Sequence, residues 1–399
     1  MPIIVQKYGG TSVADAERIR NVAKRIVRTE RAGNKVVVVV SAMGHSTDEL
    51  VSLAHRVTTS PPSRELDMLL TAGERVSMAL LSMAIIDLGE RAISFTGSQV
   101  GIITDSSHTR ARILEIKADR IRQALKEDQV VIVAGFQGVS LGREITTLGR
   151  GGSDTTAVAL AVALYAAACE IYSDVAGVFT ADPRLVKGAR QLRAIPFDEM
   201  IELAGAGAQV LHVRAAELAA KFRMPVVCRS SFSENAGTII GKEVRMERIQ
   251  VRGIAHDKDV ALLTLRAKAR PGAALPQLVT KLAQAGIQVK SFFHGPAAAG
   301  RIDLFFVVAG SDVARARQVL AGKAGAAPAL TVNRELGAIT LVGPGVGGEM
   351  AIVSKMLSAL ASQRIHVEGL STGQTRISAY IARGQLERAL TALHKAFIG

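Results

Sequence analysis

The chain has 399 residues, of which 48% are hydrophobic and 21% charged, with two cysteines, no Trp and a formal net charge of +14. This is the profile of a folded soluble protein of two to four units at roughly 100–200 residues each, and it excludes a disordered chain, a disulfide framework and a cysteine metal cage. The basic surplus invites a nucleic-acid partner, but Arg18, Arg20, Lys24, Arg25, Arg28 and Arg31 are strung along one helical stretch without a compact run or interleaved aromatics, so no nucleic acid is expected and the field is read as one that concentrates anionic small molecules.

The opening residues MPIIVQKYGG carry no basic segment, apolar stretch and cleavage site in succession, so export is not expected. The aliphatic runs 36–40 and 157–168 fall short of the roughly 18 apolar residues of a membrane span. No membrane is expected, and the reading is a reducing, cytosolic compartment. Up to about residue 240, β-branched runs at 3–5, 36–40, 92–95, 130–134, 170–172 and 226–228 read as strands separated by amphipathic helices. Strands apolar on both faces imply a mostly parallel sheet covered on both sides, a three-layer α/β/α domain whose ligands sit beyond the strand carboxyl ends.

Four segments at such ends carry candidate chemistry. In VQKYGGTS, Lys7, Gly9 and Gly10 precede a helix capped by Thr11 or Ser12; the segment is either a simple strand-to-helix turn or a phosphate cradle with a lysine beside it. Ser41 and Gly44 follow the second strand, with Thr47 beyond, and Glu74 lies in TAGER, where it could hold a substrate ammonium; simple capping is the alternative for both. TLGRGGSDTT places Arg150, Gly151, Gly152, Ser153 and Asp154 before an apolar helix over 157–168, Asp154 being either a cap or a catalytic carboxylate. In YSDVAGVFTADPR, Ser173, Asp174, Phe179 and Arg184 could serve ribose, adenine and phosphate. No His, Cys and carboxylate cluster has metal-ligand spacing, so no dedicated metal site is expected.

After residue 241 the pattern shortens and repeats at a period of roughly 78 residues. Strand 261–265, a helix around 275–285, segment 286–289, strand 301–308 and helix 313–320 correspond to strand 338–341, a helix around 351–362, segment 364–367, strand 376–382 and helix 386–397. Two βαββαβ units follow, separated by a Pro/Ala/Gly-rich loop over 323–330.

Taken in order, VQKYGGTS, VVSAMG, TAGER, IVAGFQGV, TLGRGGSDTTA and YSDVAGVFTADPR resemble the aspartokinases, and the repeated units resemble that family's paired ACT domains. The resemblance covers essentially the whole chain. It implies an amino-acid kinase domain over 1–243, a linker strand over 244–260, and ferredoxin-like ACT domains over 261–330 and 331–399. In related kinases the ACT units interleave, so that 249–255 could add a strand to the second. The implied reaction is ATP plus L-aspartate giving ADP and 4-phospho-L-aspartate, the first step toward lysine, threonine and methionine, with Mg2+ carried on the phosphates. By the same resemblance Lys7 and Asp154 are catalytic; Lys7, Gly9, Gly10, Ser173, Asp174, Phe179, Arg184 and Gln209 meet the nucleotide; and Ser41, Thr47, Glu74, Arg150, Gly151, Gly152 and Ser153 meet aspartate. Ser291, Ser371 and Gln374 mark the effector positions. A homo-oligomer joined through the ACT domains is implied, with a separate ACT-only chain as in some relatives.

Three departures matter. Gln209 stands where the family has a lysine facing ATP, 290–295 replaces the first effector motif, and Gly373 and Gln374 replace Ser-Glu in the second. These leave open ACT units that dimerise without an effector, a related kinase of another carboxylic acid, and a regulatory paralogue without catalysis.

Overall fold

A computed structural model describes residues 1–241, 250–268, 274–294, 301–320 and 329–399. The beginning of the expected linker strand, 244–249, most of the 323–330 loop, and Gly295 lie outside the described residues. The chain forms two compact units: Met1–Phe179 with Gln191–Gly205 and Gln209–Met246, and Thr180–Arg190 with Ala206–Ala208 and Glu247–Gly399.

The first unit contains β1 (Ile3–Tyr8), α1 (Ala16–Arg31), β2 (Lys35–Val40), α2 (Ser46–Val57), α3 (Ser63–Asp87), β3 (Ala92–Phe95), β4 (Ile102–Thr104), β5 (Ile113–Ile116), α4 (Asp119–Lys126) and β6 (Val130–Ala134). It continues through β7 (Gln137–Ser140), β8 (Ile145–Thr147), α5 (Gly152–Ala163), β9 (Ala168–Ser173), β10 (Ala194–Ile195), α6 (Phe197–Gly205), α7 (Val213–Phe222), β11 (Val226–Ser230) and β12 (Thr238–Ile240). Eight strands form the main sheet in the order β10-β12-β11-β9-β1-β2-β6-β3, and only the β11–β12 pairing is antiparallel. Each strand anticipated from the β-branched runs is in this sheet. The small sheet β5-β4-β7-β8 was not anticipated, because strands of three or four residues are too short to show a period.

β1 lies between β2 and β9 with its side chains alternating across the sheet. Tyr8 joins Ile19, Val22, Ile26, Leu81 and Ile85 in a core under α1 and α3, where α1 buries residues at helical spacing. Lys7 faces the other way, toward α5. One apolar helix between two layers needs no polar face, and α5 is buried from Gly152 through Ala161.

Two local expectations are corrected. The helix after the Gly-Gly turn is capped by Asp15, whose carboxylate accepts from the Arg18 N–H at 2.9 Å, not by Thr11 or Ser12, which lie in a short 3-10 turn. The apolar helix expected over 157–168 begins at Gly152 and stops at Ala163. Tyr165 turns left-handed (φ 53°), and Ala168 already opens β9, so the all-apolar run conceals the boundary.

The second unit contains β13 (Gly253–Asp257), β14 (Val260–Lys268), α8 (Ala274–Gln284), β15 (Val289–His294), β16 (Arg301–Ala309), α9 (Val313–Leu320), β17 (Ala329–Asn333), β18 (Leu336–Val342), α10 (Met350–Ser362), β19 (Val367–Thr372), β20 (Arg376–Ala382) and α11 (Leu386–Phe397). Its two four-stranded sheets run β15-β16-β14-β17 and β13-β18-β20-β19. The strand before the first repeat therefore pairs antiparallel with the second repeat. Segment 180–190 belongs to this same core, where Ala181 and Val186 pack with Ile254, Ile339 and Leu390.

Candidate active site

The carboxyl ends of β1, β2, β6 and β9 meet the N-terminus of α5. Lys7 Nζ, near the end of β1, lies 2.8 Å from Asp154 Oδ1 in the first turn of α5, and both side chains are largely shielded from solvent. The helix terminus favours a carboxylate there, and a shielded pair fixes the ammonium. The other oxygen, Asp154 Oδ2, accepts from the His212 backbone N–H at 3.2 Å.

Small residues let these ends converge. A Cβ on Gly10 would lie 2.8 Å from both Ala42 O and Gly44 O, and the Gly44 N–H donates to Gly10 O at 3.0 Å. The Gly9 N–H donates to Tyr172 O at 3.2 Å, and a Cβ on Gly9 would sit 3.4 Å from Lys7 Nζ. Gly151 has φ +69°, and a Cβ there would enter the His212 ring at 2.1 Å. Ser153 is packed against Gly135, where a Cβ would come within 2.8 Å of its Oγ.

Glu74 comes from α3 and is 2% exposed. Its Oε2 makes no hydrogen bond, and burial pushes its carboxyl up to about 7 against the weaker pull of backbone donors at Glu74 and Ala42. Ser77 Oγ on the same helix donates to Ser41 O at 2.7 Å. Thus Lys7, Gly9, Gly10, Ser41, Glu74, Gly151, Gly152, Ser153 and Asp154 gather around one end of the sheet. Thr47 stands in the first turn of α2.

The remaining positions are less closely drawn in. Ser173 ends β9, its Oγ accepting from the Val175 N–H at 3.2 Å, and Phe179 bridges to Gln191. Asp174, Arg150 and Gln209 are exposed. Arg184 belongs to the second unit, where its guanidinium pairs with Asp182 at 2.9 and 3.0 Å. Of the effector positions, Ser291 Oγ lies 2.7 Å from Tyr380 OH and donates to Ser371 Oγ at 3.3 Å, whereas Gln374 is exposed.

His212 was not singled out from the sequence. A lone histidine before a helix has no diagnostic spacing, and only the fold sets its ring on Gly151 and its N–H on Asp154. Burial holds its imidazole below the usual range, outweighing Asp154, and its Nδ1 is buried without a hydrogen-bond partner. Among the described residues no three His, Cys, Asp or Glu side chains gather as a metal-binding group. α3 is long and apolar enough to cross a membrane, but half of its apolar window is buried inside the protein.

The amino acid kinase family model matches residues 2–230, and an ACT domain model matches residues 339–397. The aspartokinase of Mycolicibacterium smegmatis is 45% identical over 406 residues, covering 100% of this chain and 96% of the relative. That of Corynebacterium glutamicum is 46% identical over the same span and shares. Among solved structures, aspartate kinase from Synechocystis is 41% identical with a TM-score of 0.57, covering 99% of this chain and 69% of that one. E. coli aspartokinase III, solved with aspartate and ADP, has a TM-score of 0.86 at 24% identity and full coverage of both chains, a likeness of fold. With full-length relatives at this identity and a Gly-lined Lys7–Asp154 pair at the head of its parallel sheet, the chain belongs to the aspartokinase family.

Proposed function

We propose that the protein transfers the γ-phosphoryl group of ATP to the side-chain carboxylate of L-aspartate, giving 4-phospho-L-aspartate and ADP. The observation that carries this reading is the Lys7–Asp154 pair, 2.8 Å apart, held between two Gly-Gly turns at the N-terminus of α5. A carboxylate acceptor, with an ordinary pKa near 3.9, is already a nucleophile at neutral pH. The obstacle is its repulsion from the triphosphate, so catalysis rests on alignment and charge stabilisation.

In this reading Lys7 and the Gly9 and Gly10 amides bear the charge that spreads over the transferring phosphoryl group, and Asp154 holds the ammonium in place. Glu74 receives the aspartate ammonium; Arg150 takes a carboxylate, with Ser41, Thr47, Gly151, Gly152 and Ser153 completing the pocket. Ser173, Asp174, Phe179, Arg184 and Gln209 serve the nucleotide, Gln209 lending no positive charge. Magnesium would ride on the phosphate oxygens, because Asp154 is already engaged by Lys7 and no three-ligand group gathers among the described residues. The kinase domain is taken as 1–243 and the ACT domains as 261–330 and 331–399, the latter pair joining copies of the chain and serving as the seat of any effector at Ser291, Ser371 and Gln374. A cytoplasmic location follows from the substrates.

Release of ADP from Mg-ATP, measured separately with L-aspartate, L-glutamate and N-acetyl-L-glutamate, tests the assignment. Turnover confined to aspartate is expected, and turnover with another acid alone would overturn the substrate. Lys7→Ala should lower kcat by about 10²–10³-fold while the protein stays folded by circular dichroism; near-normal turnover would remove Lys7 from the mechanism.

A further inference from the structure

The α1 side of the main sheet carries a second cavity that the proposed reaction leaves unused. Its volume is about 420 Å³, and it lies between α1 and the loop after β11, lined by Arg18, Lys24, Arg25, Arg28, Phe232 and Glu234 among others. It is distinct from the Lys7–Asp154 site. Tyr8 and Tyr172 are register partners whose rings stack at 4.8 Å on the α1 side, Arg25 lies over the Tyr172 ring at 5.1 Å, and Lys7 points to the opposite face.

Four cationic side chains face one carboxylate in this lining. The Nη2 atoms of Arg25 and Arg28 both converge on Glu234 Oε1, at 3.1 and 2.9 Å, and Arg28 also meets Oε2 at 3.0 Å. Asp15 draws on Arg18 at 3.3 Å, while Lys24 has no ion pair among the described residues. Even with both carboxylates counted, two positive charges remain over. Glu234 is 68% exposed, so its ion pairs are weak and it can swing aside. Ser233 Oγ, also in the lining, is buried and makes no hydrogen bond, a donor waiting for an acceptor. Phe232, itself under the Arg18 guanidinium at 5.2 Å, adds an apolar wall.

We infer that this cavity binds a small molecule bearing a phosphate dianion, with Glu234 as the internal carboxylate that the phosphate displaces. Two guanidinium groups already converge on a single oxygen position, which suits one tetrahedral head with several acceptors better than two separated carboxylates. The surplus of two positive charges matches a dianion.

Inorganic phosphate is the probe, titrated calorimetrically into the full-length protein, with succinate in parallel. In the Lys7→Ala background, which removes the phosphate-binding lysine of the kinase site, the added Lys24→Ala, Arg28→Ala pair should weaken phosphate binding at least tenfold and an added Glu234→Gln should tighten it severalfold. Equal binding after the added Lys24→Ala, Arg28→Ala pair, no phosphate binding left in Lys7→Ala alone, or no tightening with Glu234→Gln would overturn the site. Tighter binding of succinate than of phosphate would overturn the head group. The two surface substitutions and the opposite sign expected of Glu234→Gln separate a lost site from a misfolded one.

Discussion

Glu74, proposed to receive the substrate ammonium, carries its own electrostatic signature at the scale of a single side chain. It is buried with one oxygen unserved and its pKa raised to about 7, a cost that an ammonium ligand would relieve. Because the folded-state value lies above the ordinary 4.5, the stability tied to this group is fully present below about pH 4.5 and is lost as pH rises through about 7. The loss is on the order of 3 kcal/mol. Glu74→Gln should therefore raise the thermal midpoint of the unliganded protein at pH 8 and not at pH 4.5; an equal change at both would contradict it. The same substitution should raise the KM for aspartate by about 10–100-fold, and in the unsubstituted enzyme that KM should climb as pH falls below about 7. A flat pH profile would take Glu74 out of the aspartate site. Glu74 was singled out in the sequence beside an expected small-residue turn, but α3 runs unbroken from Ser63 to Asp87, and Gly73 serves a close approach to Ala42 instead; His212 was not singled out, because only the fold sets Gly151 and Asp154 against it.

At the scale of elements, α5 and its preceding turn concentrate the constraint. Gly151 combines a left-handed backbone with the His212 ring where a side chain would go. Gly151→Ala should cost about 1–3 kcal/mol in stability and lower kcat by displacing Asp154 three residues along. Adding His212→Ala should restore part of the stability and little of kcat, since the left-handed strain and the lost support persist; complete restoration of both would show that the ring clash was the whole effect. The strands of the main sheet were legible because parallel strands buried on both faces read as unbroken β-branched runs, as in 36–40. The end of α5 and the start of β9 were not, because both are apolar and only a left-handed residue between them marks the change. Arg184 shows another limit: its place in a motif suggested a phosphate partner but not that its guanidinium would be held by Asp182 in the second unit.

At the scale of the whole molecule, the two compact units do not follow one another along the chain. Segment 180–190 leaves the first unit, sets Ala181 and Val186 into the core of the second and sends the Thr180 carbonyl to the Ile254 N–H at 2.8 Å, before the chain returns at Gln191. A fragment ending at residue 243 would expose those apolar side chains. It should show a lower unfolding midpoint than the full chain and bind a fluorescent hydrophobic dye, and an unchanged midpoint without dye binding would show that the segment is held without its core. The repeat in the second unit was legible from its period, but which strand completes which sheet was carried only by the likeness to related kinases, because β13 sits a full repeat away from its partner β18. That separation bears on how the protein is made. A nascent chain emerging from the ribosome presents 180–190 and β13 long before β18 and α11 exist, so these early segments must wait, unpaired, until nearly the last residues have been synthesised. Completion of the second unit is then a late, long-range event, and the interval before it is when the growing chain is most exposed to aggregation.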